Sequence, residues 1–276
     1  MRSNLPIGIF DSGVGGLTVL NAIKDLLPNE DLIYLGDTAR VPYGTKSAAS
    51  VMRYAEQAAA ALLSREVKLL VIACNTASAV AVEHLQKLNP EIAVVGVVEP
   101  GAQASCLATK NNHIGVIATE GTVNNQAYQS AILKRKPDAS VTAQACSLFV
   151  ALAEEGWHEG ELVESIIGEC LKPLLDSDCQ TEMDTLVLGC THFPVLKESI
   201  ANIVGDKVSL VDSADTTATV VKSFLSERQL LNEQKAGHVS FLVTDDPARF
   251  SRVAKNFYQG DIEQGEIQQV DIQHFS

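Results

Sequence analysis

Eight short runs of Val, Ile and Leu govern what this chain can become. They are PIGIF (6–10), DLIYLG (31–36), KLLVIA (68–73), AVVGVV (93–98), HIGVIA (113–118), TLVLG (185–189), VSLVD (208–212) and VSFLVT (239–244). They are continuously apolar rather than alternating. A strand with one wet face alternates, whereas a strand covered on both faces does not, and such strands belong to parallel sheets. Helix-length segments lie between several of them. Residues 47–67 are rich in Ala and lack Gly and Pro. In DDPARFSRVAKNFYQG, Asp246 suits an N-cap and Pro247 the first helical position. Phe250, Val253, Ala254 and Phe257 then follow at helical spacing, and Gly260 is a natural stop. Strands alternating with helices predict an α/β architecture. The 276 residues, 46% of them hydrophobic, suffice for one large domain or two smaller ones.

The order of signals repeats. IGIFDSG from Ile7 is echoed by IGVIATEG from Ile114, an offset of 107. The run from Leu70 to Cys74 is echoed from Leu186 to Cys190, an offset of 116. The run ending at Glu99 is echoed by the one ending at Asp212, an offset of 113. One match aligns a cysteine with a cysteine and another an acid with an acid. Two similar α/β domains with mostly parallel sheets, related by a pseudo-twofold, are therefore expected. Residues 1–98 plus 210–276 would form the first and 99–209 the second, with the tail packing back on the first half.

Charge and composition exclude several functions. There are 21 Lys and Arg against 34 Asp and Glu, a net charge of −13. That argues against nucleic acid or anionic lipid as a partner. No apolar stretch reaches the ~18 residues of a membrane span. The opening MRSNLPIGIFDSG enters a strand pattern too soon for a signal peptide, so a cytoplasmic location is the expectation. The six cysteines of so long a chain are expected to be reduced thiols. None is spaced CxxC, which disfavours a zinc ribbon or a thioredoxin-like motif.

Ligands of open α/β sheets bind outside the carboxyl ends of the strands. Three polar segments sit at such ends: Asp11-Ser12-Gly13, Cys74-Asn75-Thr76 and Cys190-Thr191-His192. A pseudo-twofold would set Cys74 and Cys190 face to face across a cleft. Cys106, Cys146, Cys170 and Cys179 are read instead as small hydrophobes. Two opposed thiols suit one reaction well: a thiolate removes a proton from one face of a carbon and a thiol returns one to the other. An unperturbed thiol, with a pKa of ~8.5, needs modest help to act as a base near neutral pH. Asp11 is placed to help on the Cys74 side. His192 can help on the Cys190 side, because i and i+2 share a face in an extended segment. Glu154 can join it from another loop. DSGVGG (11–16) is not a phosphate loop: its spacing is not GxGxxG, and Asp11 would repel a phosphate. In GDTARVPYG, Tyr43 offers a hydroxyl and Gly44 an open amide. Asn75, Thr76 and Thr191 can donate to carboxylates. His84, His113, His158, His238 and His274 are read as structural or surface residues.

The segments IGIFDSGVGGLTVL, YLGDTARVPYG, VIACNTAS, GVVEPGA, LVLGCTHFP and VDSADTTA together resemble the glutamate racemases of the aspartate/glutamate racemase family. The resemblance spans roughly residues 7 to 260. It implies a cofactor-independent isomerase that interconverts L- and D-glutamate, supplying D-glutamate for peptidoglycan, with no metal and no pyridoxal phosphate. It implies two α/β domains with the site between them. Cys74 and Cys190 would be the proton donor/acceptors, for the D- and L-substrate respectively, assisted by Asp11, Glu154 and His192. Asp11, Ser12, Tyr43, Gly44, Asn75, Thr76, Thr191 and His192 would hold the substrate. Where the family has Pro and Val-Glu, this chain reads FVALAEEG, which leaves Glu154 or Glu155 as the acid; the preceding Phe-Val favours Glu154. The expected partner is the small-molecule substrate, with neither nucleic acid nor membrane, and with a homodimer allowed for. The six residues before the first strand lean against activation by a cell-wall precursor. Three alternatives stand beside this reading. They are an aspartate racemase, a metal hydrolase using Cys74, Cys190 and His192 as ligands, and a regulator that binds a partner protein without catalysis.

Overall fold

A computed structural model describes residues 2–176, 183–232, 236–262 and 266–275. Cys179 lies outside the described residues. The first half runs β1 (Ile7–Asp11), α1 (Leu17–Leu26), β2 (Leu32–Gly36), α2 (Ala48–Leu63), β3 (Leu69–Ile72), α3 (Asn75–Leu88), β4 (Ala93–Gly96) and α4 (Val98–Ala108). The second runs β5 (His113–Ala118), α5 (Glu120–Asn124), α6 (Ala127–Arg135), β6 (Ser140–Ala145), α7 (Leu148–Glu154), α8 (Glu161–Leu175), β7 (Thr185–Gly189), α9 (Lys197–Val204), β8 (Ser209–Asp212) and α10 (Ser213–Glu227). A tail of β9 (Val239–Val243), α11 (Pro247–Ala254) and β10 (Ile267–Gln269) follows.

Every described strand pairing is parallel. One sheet has the order β10-β9-β2-β1-β3-β4, the other β6-β5-β7-β8. All eight apolar runs are strands. On β1, Ile7 and Ile9 face a core shared with α1, α10 and α11, while Phe10 faces a core shared with α2 and α3. On the second sheet, Ile117, Leu186 and Leu188 pack under α7, α8 and α9. Ile114, Val116 and Val187 pack under α4 and α6. Both sheets are thus covered on both faces, which is why the eight apolar runs carry no polar alternation.

The second sheet repeats the first. The order β2-β1-β3-β4 recurs as β6-β5-β7-β8, and the register recurs with it. Ile7 pairs with Leu69 and Ile114 with Thr185, which reproduces the offsets of 107 and 116. The same register corrects the third match. Leu69 pairs with Ala93 and Thr185 with Ser209, so Asp212 corresponds to Gly96 rather than to Glu99. Glu99 sits instead in α4, ion-paired with Arg135. The helix after the fourth strand crosses over in both halves. α4 packs on the second sheet through Val98 and Ala102. α10 packs on the first through Ala214, Ala218, Val221 and Leu225. This exchange ties the two lobes together. The return to the first lobe also comes later than residue 210, because β8 pairs with β7 as far as Asp212.

Two strands lack an apolar run. β6, SVTAQA, is an edge strand with a half-wet face, and β10 is a three-residue edge strand. α2 starts where expected, with the Ser47 hydroxyl accepting from the Ser50 amide. α11 begins as expected too: Asp246 caps it by accepting from the Arg249 amide at 2.9 Å. It ends at Ala254, six residues before Gly260. There the amides of Phe257 and Tyr258 both fold back onto the Ala254 carbonyl.

Candidate active site

Asp11 ends β1 and is fully buried (0% exposed). Its Oδ2 accepts the Gly13 amide at 2.9 Å, which turns the chain sharply after the strand. The glycines that follow make room for neighbours rather than for a phosphate. A Cβ on Gly15 would fall 2.4 Å from His192 Nδ1 and 2.5 Å from Thr191 Oγ1. A Cβ on Gly16 would fall 2.5 Å from that of Asp11. The Thr191 hydroxyl reaches Asp11 Oδ1 at 3.5 Å, and the Thr18 hydroxyl donates to the Thr191 carbonyl at 3.1 Å. The carboxyl ends of the two sheets therefore meet here.

Cys74 follows β3 and caps α3; Cys190 follows β7 at the equivalent place. Each is nearly sealed, at 5% and 6% exposure. Cys74 Sγ lies 3.7 Å from the Ser12 hydroxyl. Burial, and then the Asp11 charge, push its thiol up to about 12, against the Ala77 amide and the Ser12 hydroxyl. Cys190 adds to that rise, so the two sulfurs feel each other. Burial likewise lifts the Asp11 carboxyl above its ordinary value, with His192 and the amides of Gly13, Gly16 and Ser12 opposing.

The Cys190 side carries a different set of groups. Cys190 Sγ lies 3.8 Å from His192 Nδ1, and His192 Nε2 lies 3.2 Å from Glu154 Oε1. Burial disfavours the imidazolium, but the contacts with Cys190 and Glu154 and the Asp11 charge outweigh it. They hold the imidazole up at about 10. Desolvation of Glu154 is likewise outweighed, by His192 and Arg249, so its carboxyl sits below the usual range. Glu154 closes α7 against His192, whereas Glu155 is exposed. The geometry thus separates the two neighbouring acids.

Asn75 and Thr76 open α3 and are buried. Tyr128 donates to Asn75 Oδ1 at 2.7 Å, while Asn75 Nδ2 is buried with no partner among the described residues. A buried donor left unpaired is costly, and it marks a place where a ligand oxygen fits. The Thr76, Thr119 and Thr122 hydroxyls form a triangle with sides of 3.0, 3.1 and 3.1 Å. The Tyr43 hydroxyl donates to Asp37, which also accepts from Arg40 Nε at 2.7 Å and the Thr244 hydroxyl at 2.9 Å. Tyr43 therefore anchors its loop. Gly44 touches the second lobe, since a Cβ there would lie 2.6 Å from Thr119 Cβ.

Sequence reasoning did not single out Thr119, Thr122, Tyr128, Asp37 or Arg249. Thr119 was within reach, because the offset of 107 maps Ser12 onto it. Arg249 and Tyr128 carry no such signal; only the packing of α11 and α6 brings them in. Of the remaining described thiols, Cys146 is buried and Cys106 and Cys170 are half-buried. Cys146 is pushed up to about 12, chiefly by desolvation, and Cys106 lies under α6. Of the other histidines, His113 is buried, His84 pairs with Glu56 and His274 with Asp271. Among the described residues, no three or more His, Cys, Asp or Glu side chains gather in a way that could hold a metal ion. Nor is any described helix long and apolar enough to cross a membrane.

The Asp/Glu/Hydantoin racemase family model matches residues 8–221. The chain is 48% identical over 268 residues to a glutamate racemase of Geobacter metallireducens, covering 97% of each chain. It is also similar to a crystal structure of glutamate racemase from Francisella tularensis in complex with D-glutamate. There the TM-score is 0.90 and the identity 40%, over 98% of this chain and 99% of that one. An aspartate racemase of Picrophilus torridus has a TM-score of 0.54 at 16% identity, over 82% of this chain and 99% of that one, a likeness of fold alone.

Proposed function

Because this chain belongs to the Asp/Glu/Hydantoin racemase family, we propose that it racemises glutamate with two cysteines and no cofactor. One observation carries the reading. Cys74 and Cys190 occupy equivalent strand ends of two repeated sheets, both sealed and electrostatically coupled. The proposed division puts Cys74 in a lobe of residues 1–98 plus the tail from α10 onward, and Cys190 in the lobe between, which keeps β8 to its end at Asp212.

In the proposed reaction the α-carbon lies between the sulfurs. The thiolate of Cys74 takes the α-proton from D-glutamate while the Cys190 thiol gives its proton to the opposite face. Cys190 is left as the thiolate, ready for the L-enantiomer. Charge develops on the substrate carboxylate during transfer. Donors already fixed in place, Asn75 Nδ2 among them, stabilise it without reorganising. The Thr76 and Thr191 hydroxyls, with Ser12 and the backbone at Tyr43 and Gly44, complete the grip. An ammonium entering beside Asp11 offsets the burial that lifts both Asp11 and Cys74, easing thiolate formation. His192, held by Glu154, supports a thiolate at Cys190. Substrate reaches such sealed thiols only when the lobes part.

Glutamate is favoured over aspartate by the near relatives, which carry that name at 40–48% identity. The enzyme is proposed to act in the cytoplasm, feeding peptidoglycan synthesis. The test is a chiral assay with both enantiomers of glutamate and of aspartate, with and without a chelator and a cell-wall precursor. Glutamate should reach an equal mixture from either side, insensitive to chelation. Folded protein that turns over neither, or prefers aspartate, would overturn the reading.

A further inference from the structure

Glu154 touches His192 with only one of its two oxygens. Oε1 faces the imidazole at 3.2 Å, and Oε2 is held by Arg249 Nη2 at 3.1 Å. Arg249 stands in the first turn of α11, whose Phe250 and Val253 are anchored in the first lobe's core. Glu154 ends α7, whose Phe149 and Leu152 are anchored in the second. Asn256 adds a second tie, donating to the Glu154 carbonyl at 3.1 Å. The contact therefore spans the lobes, and its far end points along Glu154 and His192 to Cys190. Arg249 itself touches neither thiol.

We propose that Arg249 is a positioning residue for the Cys190 half of the site, a bridge between lobes that aims the Glu154 carboxylate at His192. The inference rests on the two-thiol reading above. Its physical ground is the softness of a glutamate terminus. The last torsion is broad and roughly two-fold, so one contact does not fix the plane of the carboxylate. With Oε2 pinned from the other lobe, Oε1 stays on the imidazole. Unpinned, a carboxylate at the edge of the site rotates toward water, and His192 loses the partner that fixes its orientation and charge.

Positioning can be separated from plain charge, because the two predict opposite signs. As a charge alone, Arg249 dilutes the field of Glu154, so its removal would favour the imidazolium. As an anchor, its removal takes Glu154 away and disfavours the imidazolium. The other groups facing the pair stay constant in either case. Asp11 and Cys190 face His192. Asp245 and Asp246 line the same cavity as Arg249 and Glu154.

The experiment uses the full chain without substrate, with histidine ring signals followed by NMR against pH. His192 is assigned through His192→Asn, and Glu154→Gln marks the complete loss of the carboxylate. Arg249→Gln should lower the His192 titration toward the Glu154→Gln value. It should also cut kcat for glutamate about 3- to 10-fold, the scale of a single part-exposed charge contact, with KM within about twofold. Arg249→Lys, which can still reach a carboxylate, should recover more than half of both effects. A His192 titration that stays in place or rises in Arg249→Gln overturns the proposal. A folded wild type that fails to racemise glutamate strikes the enzymatic reading instead, and the titration still decides the geometry.

Discussion

Replacing His192 by Asn tests the electrostatics of the site without any substrate. An ordinary imidazole titrates near 6.5, and this one is held at about 10. The folded protein therefore keeps a proton that the unfolded chain gives up. The stability this contributes is fully present below about pH 6.5 and disappears as pH climbs through about 10. Each pH unit inside that window is worth about 1.4 kcal/mol. Between pH 7 and pH 9 the advantage of wild type over His192→Asn should shrink by about 2 to 3 kcal/mol. Cys74 is also lifted, to about 12, but that thiol is common to both proteins and its window lies higher. Urea denaturation of both proteins in reducing buffer, at half-unit steps of pH, measures the difference directly. A difference that stays flat, or widens with pH, would refute the reasoning that Glu154, Cys190 and Asp11 jointly hold a charged imidazole.

Two further substitutions probe the pieces around the thiols. The unpartnered Asn75 amide costs the empty protein about 1–3 kcal/mol, which a bound carboxylate recovers. Glutamate should thus raise the wild-type melting midpoint and raise that of Asn75→Ala far less, with KM up about 10-fold or more. Gly15→Ala drives a methyl into His192 Nδ1 and Thr191 Oγ1. It should cost about 1–3 kcal/mol of stability and lower kcat about 100-fold through misplacement; equal activity would show that the two loops do not pack so closely.

Much of this was legible before any coordinates. The eight strands announced themselves because helices pack on both faces of each sheet, leaving little polar alternation to blur the signal. β6 escaped because its Ser140 and Thr142 are exposed, and SVTAQA reads as weakly apolar. The end of α11 was misjudged at Gly260 because Phe257 continues the helical spacing, although its amide already turns back onto Ala254. Within the site, Cys74, Cys190, Asp11 and His192 were visible as polar residues on apolar strand ends. Thr122, Tyr128 and Arg249 were not, since their places depend on how helices from one lobe meet the other. Tyr43 shows a subtler gap. Its residue type promised a free hydroxyl, but the buried Asp37, six residues earlier in the same loop, takes that hydroxyl.

The two-thiol claim is tested most directly by following hydrogen at the α-carbon in deuterium oxide, for wild type, Cys74→Ser and Cys190→Ser. Starting from L-glutamate, wild type should form D-glutamate that carries solvent deuterium while the remaining L-glutamate keeps its protium early in the reaction. Each serine variant should lose racemisation, yet a glutamate bearing a leaving group next to the α-carbon should still be eliminated by the thiol that remains. D-glutamate formed with its original protium, or unimpaired racemisation in either variant, would contradict proton transfer between two opposed cysteines.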